Sequence, residues 1–177
     1  MLLAGLLPIA AAAGCADHPA APTSSTGTRW DGNGHFYELL FCPGTPPAPC
    51  SWEDARDRAR MIGPGWDLAT VTSADEDAFV RSLFAANPAA FNIARTTLNS
   101  GPWIGARLEG PTARDYIWVT GEPFVYANWG PNEPFGNGDR ISYADWSSPF
   151  GDGTGLGWND IGSGRTDGPI SFVAELH

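Results

Sequence analysis

The residues best suited to chemistry lie between Glu133 and Asp160, where Glu133, Asp139, Asp145, Asp152 and Asp160 are spread through a glycine-rich stretch. Carboxylates carried on such a loop can work in pairs on a glycosidic bond, gather a hard cation, or accept hydrogen bonds from a polar ligand. For glycoside hydrolysis the pair would be Glu133 with Asp139 or Asp160. Little else in the chain supports catalysis. His18, His35 and His177 lie far apart in sequence, so no base is set beside a serine or cysteine nucleophile. There is no G-x-S-x-G, P-loop, dinucleotide fingerprint or His/Cys zinc spacing, and Asp152-Gly153-Thr154-Gly155 lacks the alternating acids of an EF-hand loop. The expectation is a binding module rather than an enzyme.

A loop of this kind needs a scaffold, and the chain can build one. Its 177 residues are 42 % hydrophobic and include eight Trp, enough apolar surface for one domain with a proper core. The net charge is −10, and all ten positive charges are Arg. Such a surface repels phosphate, which excludes nucleic acid as a partner and disfavours anionic lipid headgroups. Cations and neutral polar ligands remain.

Met1 to Gly14 (MLLAGLLPIAAAAG) is apolar, too short to span a bilayer, and has the character of a cleaved secretory segment. Ala12-Ala13-Gly14-Cys15 resembles a bacterial lipobox, which would leave Cys15 as a lipid-bearing N-terminus; the alternative is an ordinary signal peptide cut nearby. Cys42 and Cys50 bracket a proline-rich loop and can close a disulfide in an oxidising compartment, leaving Cys15 as the odd cysteine. Residues 15 to 29 have the Pro, Ala, Ser and Thr content of a flexible tether, so the folded domain is expected over 30 to 177. The expected location is extracytoplasmic, on a bacterial envelope or surface, with membrane contact through the lipid alone.

His35 to Phe41 reads as a first strand. Ser51 is placed to cap a helix whose buried face is Trp52, Ala55, Ala59 and Ile62, ended by Gly63-Pro64-Gly65. Ser73 and Glu76 have capping-box spacing before a second helix with Phe79, Val80, Leu83 and Phe84 inward, stopped at Asn87-Pro88. Residues 89 to 100 read as a short extra helix or a long loop. Beyond Trp103 come short apolar runs: Trp103-Ile104-Gly105, Tyr116 to Val119 and Ile170 to Ala174. The fold class is therefore α+β: two helices, antiparallel strands and a long irregular loop region.

The residues Ser51-Trp52, Leu68-Ala69-Thr70-Val71, Trp103-Ile104-Gly105, Gly121-Glu122-Pro123, Asn128-Trp129, Glu133-Pro134, Trp158-Asn159-Asp160 and Phe172-Val173-Ala174-Glu175 stand in the order of a C-type lectin-like domain. The chain resembles that family, its bacterial members in particular, from about His35 onward. The resemblance implies carbohydrate binding around one Ca2+, with Glu133, Asp139, Asn159 and Asp160 as metal ligands and with Glu133, Asn132, Asn137, Asp139, Trp146 and Asn159 facing the ligand. Calcium asks for six to eight oxygens, and sugar hydroxyls can complete such a shell. The partner is then a glycan, or a surface protein if the calcium site is degenerate.

Three departures stand out. Phe135 occupies the place of an oxygen-bearing Asn, and the loop to Asp139 is two residues shorter than in mannose-binding members. The family's two disulfides map onto Ala59 with Ala174 and Ile141 with Ser163. The segment from Ser142 to Gly157 is longer than usual, adding Tyr143, Asp145, Trp146, Phe150 and Asp152 either beside the site or as a surface excursion. Trp52, Trp103, Trp118 and Trp158 are expected in the core rather than at a ligand. The lipid reading is checked directly: Cys15→Ser should move the protein from the membrane to the soluble fraction, and unchanged partition would refute it.

Overall fold

The computed structural model describes residues 27–93, 98–112, 114–147, 155–165 and 167–177. The signal-like segment, Cys15, most of the tether, Phe150 and Asp152 lie outside the described residues.

Ser51 does cap the first helix. Its hydroxyl accepts from the Asp54 amide at 3.0 Å, opening α1 (Trp52–Ile62), and Glu53 and Asp54 sit at the positive end of its dipole. Ser73 caps α2 (Ala74–Ser82) in the same way, accepting from the Glu76 amide at 3.2 Å. The stretch after α2 holds a 3-10 turn at Pro88–Ala90, capped by Asn87. The strands are β1 (Thr28–Arg29), β2 (Phe36–Phe41), β3 (Trp66–Leu68), β4 (Asn99–Leu108), β5 (Tyr116–Trp118), β6 (Arg140–Asp145), β7 (Leu156–Ile161) and β8 (Ser171–Leu176).

They form one sheet in the order β1-β2-β8-β4-β6-β7, with β3 added to β8 and β5 to β4. Pairing is antiparallel except between β4 and β8, which meet in parallel at Trp103 and Phe172. β6 and β7 pair from Arg140 with Ile161 to Asp145 with Leu156, so both ends of the long segment from Ser142 to Gly157 belong to the sheet. Tyr143 is fully buried on β6 and thus a core residue, not part of a ligand face.

Two packed clusters result. In one, Trp52, Ala55 and Ala59 of α1 bury against Leu68, Trp103, Phe172 and Ala174. The indole N–H of Trp52 donates to the Ile104 carbonyl at 2.8 Å and that of Trp103 to the Cys50 carbonyl at 3.0 Å, so the buried rings keep their polar edge satisfied. Ala59 and Ala174, the positions to which the resemblance assigns a disulfide, are both buried in this cluster. Cys42 and Cys50 do form a disulfide, with Cα atoms 5.7 Å apart. The other cluster surrounds Trp158, which meets Trp118, Tyr126, Trp129 and Tyr143 edge-on at centroid distances of 5.7, 5.7, 5.9 and 6.4 Å.

Asp77 is buried among these rings with no exposed surface. Its carboxylate accepts from the Tyr143 hydroxyl at 2.6 Å, the Trp158 indole at 3.2 Å and the Asn128 amide at 2.9 Å, and pairs with Arg81 at 2.8 Å. It ties α2 to β6, β7 and the loop before Trp129. Asp77→Ala should cost about 3–5 kcal/mol in urea unfolding, because it leaves the buried Tyr143 hydroxyl and Trp158 indole, and the part-buried Asn128 amide and Arg81 guanidinium, without their shared acceptor; a cost below about 1 kcal/mol would show that the network is dispensable.

Candidate functional site

The loop from Pro131 to Asp139 lies across the end of β7, and its backbone is shaped for that contact. Asn132 takes a left-handed conformation at φ 63°, one that Asn tolerates better than most residues, and Gly136 does so at φ 85°. The Glu133–Pro134 peptide is cis. Gly138 must be glycine for another reason: a Cβ there would sit 2.1 Å from the Ile161 amide nitrogen.

The close approach turns three loop amides onto one carboxylate. Asp160 Oδ1 accepts from the Phe135 N–H at 2.8 Å, and Oδ2 accepts from Gly136 at 2.9 Å and Gly138 at 3.0 Å. The Glu133 side chain adds a hydrogen bond to Asp160, and its Oε2 also accepts from the Phe135 amide at 2.9 Å. Burial pushes the Glu133 carboxyl up to about 8, and the Asp160 hydrogen bond adds to that rise. Burial alone would raise Asp160 too, but Glu133 and the three amides hold it below the usual carboxylate range. The two carboxyls are thus driven apart, Glu133 toward the neutral form and Asp160 toward the anion.

Of the four residues expected to hold a metal, Glu133, Asn159 and Asp160 line one hollow of about 180 Å³, with Leu98, Phe135, Asn137 and Arg165 around them. Asp139 is not among its lining residues. Its carboxylate accepts from the Arg140 guanidinium at 2.9 Å and from the Ser163 amide at 3.2 Å. Arg140 is itself fixed, reaching Glu53 at 2.6 Å and lying 4.8 Å over the Trp52 ring. Asn132 is exposed and outside the hollow, whereas Asn137 lies on its rim. Trp146 lines a second hollow of about 340 Å³ with Asn128, Trp129, Gly130 and Pro131. Phe135 was noted in sequence only as a missing oxygen, yet it is 73 % exposed at the mouth of the first hollow.

This donor set does not fit calcium. Three loop amides already occupy the Asp160 carboxylate, so an ion would have to displace them, with Asp139 held by Arg140 and hydrocarbon at Phe135. The other side-chain oxygens lining the hollow, those of Glu133, Asn137 and Asn159, fall short of six. The arrangement does not fit hydrolysis either, since Glu133 and Asp160 touch, whereas retaining glycosidases hold their carboxyls ~5 Å apart and inverting ones further.

The same architecture occurs in known proteins. The SPL-1–GlcNAc complex superimposes with a TM-score of 0.59 over 88 % of this chain and 96 % of that one, at 21 % identity. C-type lectin CEL-I from Cucumaria echinata matches with a TM-score of 0.55 over 87 % of this chain and 99 % of that one, at 20 % identity. The domain therefore has the C-type lectin-like fold. In sequence, the C-type lectin-like domain is 27 % identical over 114 residues to a lectin of Pleurodeles waltl, covering 64 % of this chain and 59 % of that protein. It is 33 % identical over 86 residues to lectin BRA-3 of Megabalanus rosa, covering 47 % and 43 %. The match therefore spans less than two thirds of either lectin. Both are animal proteins, so the bacterial character expected from composition has no support among them. No protein-family profile matches the chain.

The carboxyl pair sets an expected pH signature. The folded state keeps the Glu133 proton to about pH 8, while an unfolded Glu releases it near 4.5. The contribution of Asp160, held below its usual range, is lost on acidification, whereas that of Glu133 is complete below 4.5 and is lost as the pH rises toward 8. Glu133→Gln keeps a donor for Asp160 and an acceptor for Phe135, so its unfolding free energy should lose this slope; a slope identical to wild type would exclude the shared proton. Asp160→Ala should cost about 1–3 kcal/mol by orphaning loop amides.

Proposed function

We propose that the domain is a non-catalytic lectin-like module that takes carbohydrate in the hollow between the Glu133 to Asp139 loop and the end of β7. The observation that carries this reading is the exposed Phe135 ring beside Asn137, Asn159 and Arg165. An aromatic face packs on the C–H face of a sugar ring, and amides and a guanidinium satisfy its hydroxyls without any bond being broken. The lectin relatives and the GlcNAc-bound neighbour support the ligand class.

Calcium assistance, the finer expectation of the resemblance, is opposed by the saturated Asp160 carboxylate, so the reading is calcium-independent recognition. The Cys42–Cys50 disulfide supports an oxidising compartment. With the signal-like N-terminus, it favours display outside the cytoplasm on a lipid anchor at Cys15. The same exposed Phe135 favours one other reading, a protein-interaction module with a degenerate calcium site, because a solvated apolar ring is also a contact for a surface protein.

A glycan array with calcium and with chelator separates the three. The expected result is binding to a restricted set of glycans that survives chelator and falls at least about tenfold in Phe135→Ala and Asn159→Ala, with the same melting temperature in both buffers. A melting rise in calcium that disappears in Glu133→Gln would restore the metal. An array blank under both conditions would remove the sugar and leave the protein-binding reading.

A further inference from the structure

His35 and His177 lie 142 positions apart, and the sheet brings them together. β2 and β8 pair Phe36 with Leu176 and Tyr37 with Glu175, so one more step of that register sets His35 opposite His177. Their rings meet edge to face with centroids 4.9 Å apart. Glu175 stands two residues before His177 and shares its face of the sheet. Its carboxylate is 1 % exposed, with Oε1 2.7 Å from His35 Nδ1 and Oε2 3.6 Å from His177 Nε2. The three ligating atoms all lie within 4.8 Å of one another.

The surroundings call for positive charge. Glu76, also buried, shares the Tyr37 hydroxyl with Glu175. Asn33 and the amides of Thr70 and Thr72 supply neutral donors to the two carboxylates, and no arginine among the described residues pairs with either. Glu76 is met by neutral donors only, and Glu175 by neutral donors and two imidazoles, a setting that accepts a divalent ion.

We propose that His35 Nδ1, the Glu175 carboxylate and His177 Nε2 form a three-ligand site for Zn2+ or an ion of the same borderline class. Two imidazoles and one carboxylate suit such an ion, whereas calcium would want oxygens throughout. The ion takes the place of the proton between His35 and Glu175, and His35 binds as the neutral ring protonated on Nε2. Tetrahedral arms of ~2.0–2.1 Å set ligand atoms about 3.3 Å apart, so the 2.7 Å contact of His35 must open slightly while the wider separations, none above 4.8 Å, close toward it. His35 can shift, lying just ahead of β2 beside Gly34, which has φ 83°. The Tyr37 hydroxyl and the Thr70 amide, at 2.7 and 2.8 Å, orient the carboxylate from behind. The fourth position opens toward the hollow lined by Gly65, Trp66, Thr120 and His177. An ion there would pin the start of β2 to the end of β8, independently of the carbohydrate hollow.

The test is titration of the full chain, purified without a histidine tag, with Zn2+ by calorimetry and thermal melting, and with Co2+ by visible absorption. The expected result is one ion per chain, a melting temperature raised by several degrees, and the ligand-field bands of tetrahedral cobalt. His35→Ala and His177→Ala should each weaken binding by more than ~10-fold, and Glu133→Gln should leave it unchanged. His177 is exposed, so its variant should fold normally. No saturable heat, or a melting shift of equal size in His177→Ala, would overturn the site.

Discussion

The loop-rich half of this domain depends on a charge that has nowhere to go. Asp77 is enclosed by aromatic rings, and its partners come from α2, β6, β7 and the segment before Trp129. A carboxylate in such a place is tolerable only while every partner is present. The network therefore acts less as a source of free energy than as a condition on the fold: Tyr143, Trp158 and Asn128 can satisfy it together only when the β6–β7 hairpin and the loop leading to Trp129 are in register. Beyond the Cys42–Cys50 disulfide, this demand and the rings packed edge-on around Trp158 do the holding.

Asp160 applies the same logic nearer the surface. A glycine-rich loop has much conformational freedom to lose, and something must gather its amides. Here the agent is covalently part of β7: one carboxylate collects the amides of Phe135, Gly136 and Gly138 and the Glu133 hydroxyl. The short loop suits this arrangement, since Gly138 rests directly on the Asp160–Ile161 peptide with no space for a side chain. Phe135 and the short spacing from Glu133 to Asp139 both belong to a loop that closes on its own strand.

Much of the scaffold was legible in the sequence because it rests on local rules. Ser51 and Ser73 announced both helix starts, and the four tryptophans Trp52, Trp103, Trp118 and Trp158 proved to be core, as large rings between irregular segments should be. The hairpin of β6 and β7 was not read as strand. Ile141 to Ala144 are buried in succession, so the alternation that marks a half-exposed strand is absent, and buried Asn159 and Asp160 give β7 a polar look. The inward turn of Glu76, Asp77 and Glu175 was equally hidden, because a carboxylate in sequence looks solvated until partners 39 to 138 residues away are in place. At the site, composition located the loop, but geometry decided the roles: Asp139 belongs to Arg140, Trp146 to a different hollow, and Phe135 changes from a lost ligand into an exposed surface.

That surface bears on how such a domain would work. On the proposed reading, a hollow of about 180 Å³ with one aromatic face and a few amides takes little more than a single sugar unit. Single-site affinity of this kind is modest, because each polar contact exchanges water for a ligand group at small net gain. On that reading, with residues 15 to 29 as a tether, many copies on one surface could reach neighbouring glycans, and linked binding multiplies affinity without any new contact. On the proposed reading, the tether and anchor therefore belong to the binding mechanism: selectivity rests with Phe135 and Asn159, and useful strength comes from how many domains the surface presents at once.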